Sequence, residues 1–143
     1  MLEKSYLLSL GIVLISFWFL GAQAYSRDVA VIESEMVATA HWIAANTEKD
    51  ALIAAHDIGA LGYFSNRSLV DLAGLTTPEV IPFIRNEAQL REFLQKTKVN
   101  YLVTFPNWYP ELVEQAELIF STQGSFSPAM GGENMSVYRL VIP

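Results

Sequence analysis

The chain contains no cysteine, which removes disulfides, thiolate nucleophiles and cysteine-ligated zinc from its chemistry. Histidine is nearly as scarce. His41 and His56 are the only two, and neither stands in the His-x-x-His or Glu-x-x-His spacing that places two metal ligands on one helix face, so no catalytic metal is expected. Positive charge is thin as well. Nine Lys plus Arg against fifteen Asp plus Glu leave a formal net charge of −6, and the cations do not cluster, so the chain lacks the electrostatic footprint of a nucleic-acid binder. Gly59 and Gly62 fall short of G-x-G-x-x-G, and no Gly-Lys follows a glycine-rich loop, so no nucleotide cofactor is implied. Ser65 and Ser68 sit in no G-x-S-x-G elbow, which leaves a hydrolase triad without support. Internal repeats and low-complexity tracts are absent too.

What the sequence does have is apolar surface. Of its 143 residues 52% are hydrophobic, enough for one domain with a core and too few residues for two. The apolar residues are unevenly placed. Tyr6 to Tyr25 carries no charge, and as a helix its length is about 30 Å, the thickness of a bilayer's hydrocarbon core. The segment reads as a membrane span over 1–28 with its short flanks, Lys4 before it and Arg27 with Asp28 after it weakly favouring a cytoplasmic N-terminus. Tyr6, Trp18 and Tyr25 suit interfacial aromatics. A cleaved secretory signal is the competing reading, with Ala22-Gln23-Ala24 as the cleavage site. Either way residues 29–143 are expected outside the cytoplasm, held at the cytoplasmic membrane in the first case.

Past the span, Val29, Ile32, Met36, Val37, Ala40 and Ile43 recur at three- and four-residue steps, with Glu33, Glu35 and Thr39 between them, which predicts an amphipathic stalk helix over 29–46. No proline or glycine separates it from the apolar segment, so the two can run on as one. Ala51 to Ala55 reads as a buried strand, with Asp57 placed to cap a short helix after it. Leu69-Val70 ending at Asp71 reads as a second strand, Glu87 to Lys98 as a helix, and Tyr101 to Phe105 as a strand stopped by Pro106. Pro110 to Ala116, Leu118 to Ser121 and Ser136 to Val141 complete the series as helix, strand and strand. Alternation of this kind predicts an α/β, Rossmann-like domain with a mostly parallel sheet and an antiparallel last strand.

Ligands of open α/β sheets gather at the carboxyl ends of the strands. His56 and Asp57 follow the first strand there, and Asp71 ends the second. With Arg67 they form a candidate polar site for a sugar, a phosphate or a cation. The plainer reading is turn chemistry, with Asp57 and Asp71 tying down backbone N–H groups and Arg67 pairing with one of them. Trp108 and Tyr109, in the proline-bounded loop after the third strand, offer either a stacking surface for a sugar, a rest on the membrane interface, or core packing. Gly131 to Met135 reads as a turn with Glu133 and Asn134 as exposed polar tips, and His41 as a structural residue of the stalk.

The stretches HWIAANT, AAHDIGALGYFSNRSLVDLAGLTTPEVIPFIR, YLVTFPNWYPELV and GGENMSVYRL, between Val37 and Leu140, resemble the extracytoplasmic C-terminal domain of bacterial multi-spanning GT-C-type glycosyltransferase-like proteins. Such proteins use polyprenyl-phosphate-linked sugars. The resemblance implies an accessory domain of a membrane glycosyltransferase system, encoded apart from its multi-spanning partner or cut from a longer parent. The family's acidic catalytic residue lies in an early extracytoplasmic loop with no counterpart here, so no catalytic residue carries over. A membrane-anchored protein that binds a glycan or polyprenyl-linked sugar on its own is the alternative.

Overall fold

The computed structural model describes residues 2–140, and it opens on one unbroken helix. α1 (Leu2–Val31) passes through a π-helical segment (Ile32–Val37) into α2 (Ala38–Asn46). The helix ends where Thr47 turns to extended backbone. Its apolar part stands free of the rest of the described residues: Leu14, Phe17, Trp18 and Tyr25 are all exposed. Ser9 and Ser16 donate their hydroxyls to the carbonyls of Ser5 and Ile12 one turn back, which internalises two polar groups in an otherwise apolar stretch. By length and composition the helix is able to cross a membrane.

The π-helical segment changes which face is buried. Its i→i+5 bonds admit an extra residue into the turn, and the α-helical spacing read from the sequence fails there. Ile32 is exposed, whereas Glu35 and Thr39, expected on the polar side, are completely buried together with Ala40 and Ile43. The Glu35 carboxylate is met by polar partners from distant loops. It accepts from the Met135 backbone N–H at 2.8 Å, from the Thr122 hydroxyl, and from the Asn134 amide at 3.4 Å. Thr39 has no such compensation, and its hydroxyl is buried without a hydrogen-bond partner among the described residues.

After the helix come β1 (Leu52–Ala55), α3 (Gly59–Phe64), β2 (Ser68–Asp71), a 3₁₀ turn (Pro78–Phe83) and α4 (Glu87–Lys96). There follow β3 (Tyr101–Thr104), a 3₁₀ turn (Pro106–Trp108), α5 (Pro110–Val113), β4 (Ala116–Ser121), α6 (Phe126–Ala129) and β5 (Ser136–Leu140). Val141, the expected end of the last strand, lies outside the described residues. α5 is shorter than expected, and Ala116 belongs to β4 instead. The short helix expected after β1 is present, but Asp57 does not cap it: Ile58 is the N-cap and contributes no side-chain bond.

The five strands form one mixed α/β sheet in the order β2-β1-β3-β5-β4. β1 lies parallel to β2 and β3, with Ala55 opposite both Asp71 and Val103. β5 runs antiparallel to both its neighbours, β3 and β4. Four strands therefore point one way and the last opposes them. Two of the four pairings are nonetheless antiparallel, because β4 joins the sheet only through β5.

Side chains alternate across the sheet into two cores. Ile53, Ala55, Tyr101, Val103 and Val137 face α2 and α3, packing with Ala40, Ile43 and Leu61. Ala54, Val70, Leu102 and Tyr138 face the other way, onto Leu90 and Leu94 of α4 and Leu112 of α5. The heptad-like spacing of Leu90, Phe93 and Leu94 is what lets α4 cover that face, and Asn86 caps it by accepting from Gln89 N–H at 3.0 Å.

Contacts at the C-terminal end and at the middle of the N-terminal helix fix its direction against the sheet. At the amino edge, Arg67 just before β2 reaches the last helical carbonyls, donating to Ala44 at 2.9 Å and Thr47 at 2.8 Å. At the carboxyl edge, Ala24, Arg27 and Val31 share a cleft with Phe105 and Trp108, which follow β3. The helix thus runs from the carboxyl edge to the amino edge, against the parallel strands, and its bare apolar half continues beyond the carboxyl edge.

Candidate functional site

His56 leaves the end of β1 beside the loop that leaves β3. Its Nδ1 shares a 2.8 Å hydrogen bond with the Tyr109 hydroxyl, and its ring meets the Trp108 indole edge-on, with centroids 5.1 Å apart at 84°. Pro106 starts the 3₁₀ turn that swings Trp108 outward, half exposed, while Tyr109 turns in against the α4 face of the sheet. Burial, reinforced by the negative charges of Glu87 and Asp71, pushes the Tyr109 phenol up to about 12. It is a neutral hydrogen-bonding group at physiological pH.

Trp108 stands between two openings on this edge. On one side His56, Tyr109, Ile84, Arg85 and Glu87 line a shallow cleft of about 430 Å³. Glu87 is already engaged by the Leu112 N–H at 2.9 Å, whereas Arg85 is exposed at the rim. On the other side a cleft of about 670 Å³ separates the N-terminal helix from the loops, walled by Ala24, Arg27, Asp28, Val31, Trp108, Met130, Gly131 and Gly132 among others. Glu133 also lines it and ties two loops together, accepting from the Asn107 backbone N–H at 3.0 Å and from the Asn107 side-chain amide. Ser127 adds a second tie by donating to the Glu133 carbonyl at 2.7 Å.

The residues singled out from the sequence separate into three groups. His56, Trp108 and Tyr109 come together. Asp57 lies on the same edge, partly exposed, and makes no side-chain hydrogen bond among the described residues. Asp71 is completely buried and turned into its own loop, where it accepts from the Ala73 and Thr76 N–H groups at 2.8 Å each; this is turn chemistry of the expected kind. Arg67 pairs with neither aspartate. It lies at the opposite edge of the sheet, with its guanidinium spread over the carbonyls of Ala44, Thr47, Ser65 and Asn66.

Glu133 and Asn134 are not the free polar tips that the sequence suggested. Glu133 binds Asn107, and Asn134 donates to the Gly124 carbonyl at 2.8 Å. Sequence reasoning missed Arg27 and Asp28 as cleft residues because they were read only as flanks of an apolar run, and it missed Arg85 because nothing local marks it. His41 meets the Phe64 ring at 5.0 Å on the exposed side of α2.

Among the described residues no three His, Asp or Glu side chains converge on a point where a metal could sit. Among the described residues the polar groups of this edge include a hydrogen-bonded imidazole, a neutral phenol, an amide, the Ser127 hydroxyl and a few charges. With an indole face beside them, they suit the recognition of a polar ring or an anionic group. The family described as Domain of unknown function (DUF8728) matches residues 22–138, from the last third of α1 into β5, and the chain belongs to that family. No curated protein and no solved structure matches it.

Proposed function

We propose that this DUF8728 member is a non-catalytic accessory domain of a membrane glycosyltransferase system, anchored by its N-terminal helix on the extracytoplasmic side. In this reading its larger cleft receives the sugar-phosphate head of a polyprenyl-linked sugar. The observation that carries the reading is the position of that cleft. One wall is the N-terminal helix from Ala24 to Val31, starting at the end of the apolar run, and the other is the carboxyl edge of the sheet with Trp108. A head group whose lipid tail stays in the bilayer arrives at this level. Arg27 offers it a charge, Asn107 an amide and Trp108 a stacking face. The resemblance to glycosyltransferase-associated domains favours a supporting role.

The full-length chain, tagged and extracted from its own membranes in mild detergent, is expected to carry a multi-spanning protein with it. Adding a polyprenyl-phosphate-linked sugar should raise its melting temperature, and Trp108→Ala should abolish most of the rise. A chain that purifies alone, with a melting temperature unmoved by any lipid-linked sugar, would remove the proposal. Co-purification without a shift would leave the partner and remove the ligand; a shift without a partner would favour the free-standing binder.

A further inference from the structure

We infer that the carboxyl edge of the sheet docks on the bilayer surface through Leu75, Ile81, Trp108 and Met130, so that the domain lies flat on the lipid and does not stand clear of it on a stalk. The inference rests on the helix spanning the membrane, as proposed above, and adds a second lipid contact made by the domain itself.

The two edges of the sheet differ in what they expose. Loops at the amino edge, residues 47–51, 65–67 and 97–100, present Glu48, Lys49, Asp50, Asn66, Lys98 and Asn100, and the exposed large apolar side chains next to them are Tyr63 and Phe64 at the end of α3. At the carboxyl edge the loops themselves carry the apolar side chains. Leu75 is 80% exposed, Ile81 56%, Met130 49% and Trp108 47%. Three of the four are held in place by neighbouring groups. Asp71 holds the turn that carries Leu75 through the Ala73 and Thr76 N–H groups. Ile81 stands against Gly74, whose φ of +79° and lack of Cβ allow that contact. Trp108 rests on His56 and Phe105. The fold thus holds apolar side chains in water at a cost, and a partner is expected to cover them.

The helix identifies the partner as lipid. Ala24, the neighbour of Tyr25 at the end of the apolar run, lines the same cleft as Trp108 and Met130, so this edge lies level with the end of the run. From Tyr25 to Val31, the far end of the cleft, the helix rises only about 9 Å, comparable with the headgroup layer of a bilayer. Trp at that level is the preferred interfacial aromatic. Charge does not decide the matter, since Arg27 and Arg85 share the edge with Asp28, Asp57 and Glu79. The argument stands on the apolar asymmetry and on continuity with the helix.

The absence of cysteine makes the test clean. Single Leu14→Cys, Leu75→Cys and Lys49→Cys variants of the full-length chain, each carrying an environment-sensitive fluorophore, are reconstituted into phospholipid nanodiscs. The Leu75 label is expected to emit to the blue of the Lys49 label, to be quenched by lipid-borne nitroxide and to be shielded from aqueous iodide. The Leu14 label should be embedded throughout. If Leu75 is as open to iodide as Lys49 while Leu14 is embedded, the domain stands clear of the lipid: docking is overturned and the anchored reading survives. If Leu14 is also open to iodide, both fall. Ile81→Cys repeats the measurement should labelling at Leu75 disturb its turn.

Discussion

Glu35 accepts a hydrogen bond at 2.8 Å from the backbone N–H of Met135, one hundred residues further along the chain. A fully buried carboxylate on the N-terminal helix thereby holds the entrance to the last strand and, through Thr122, the exit of β4. Burial of a polar side chain at this depth is tolerated only because several donors meet it.

Replacement of Glu35 by Ala strands the buried Met135 N–H and deprives the half-buried Thr122 hydroxyl of its acceptor, at about 1–3 kcal/mol for each group left unsatisfied. Glu35→Ala is therefore expected to lower unfolding stability by about 3 kcal/mol or more, with Glu35→Gln intermediate because it keeps one acceptor oxygen. Denaturant unfolding of the detergent-solubilised chain, followed by Trp fluorescence, measures both. Equal loss in the two variants would mean that geometry at Glu35, and not its acceptors, carries the stability.

Thr39 makes the opposite case one turn later. Its buried hydroxyl has no partner among the described residues, so Thr39→Val, which puts a methyl in its place, should stabilise the fold by about 1 kcal/mol. A Thr39→Val protein less stable than the parent would show that the hydroxyl is satisfied in solution.

Arg67 closes the C-terminal end of α2 as a planar fork of donors. Five carbonyl and hydroxyl oxygens lie within 3.2 Å of it, from Ala44, Thr47, Ser65 and Asn66. Lysine has a point charge and cannot span them. Arg67→Lys should therefore cost nearly as much as Arg67→Ala, about 2 kcal/mol, and amide exchange should quicken over Ala44 to Thr47 before the rest of the domain. Full rescue by lysine would reduce the contact to simple charge attraction.

Tyr109 sets an alkaline limit. Its phenol ionises near 10 when unfolded and near about 12 when folded. The stability tied to its neutral form is complete below pH 10 and is lost as the pH rises towards 12. Burial also raises Tyr101 and Tyr138, so Tyr109→Phe should shrink the alkaline decline without erasing it. The same change removes the His56 bond and should lower stability at neutral pH. Denaturation midpoints measured across that range for both proteins decide the matter; parallel curves would exclude Tyr109.

Much of this architecture was readable in the sequence where a single local rule governs. Ala51 to Ala55 and Tyr101 to Phe105 are short apolar runs stopped by polar or proline residues, and they became β1 and β3 within a residue or two. The direction of β5 was legible as well, because the chain returns through a glycine turn. Failures came where distant parts of the chain decide. Glu35 reads as a surface residue until Met135 and Thr122 are brought to it. Arg67 seems destined for an aspartate until α2 ends beside it with unpaired carbonyls. In the candidate site, His56, Trp108 and Tyr109 could be named because each follows a strand in a sheet of known type. Arg27 and Asp28 could not be assigned to the cleft, since only the packing of the helix on the loops creates it.

The unbroken run of helix from the apolar segment into the sheet domain makes azimuth a property of residue count. One residue inserted between Tyr25 and Ile32 would turn the domain by about 100° around the helix axis and move it by about 1.5 Å along it. In the proposed setting, that twist would carry Trp108 and Leu75 away from whatever they meet while leaving the domain's own interior intact. Single-residue insertions there should thus separate loss of membrane docking from loss of folding.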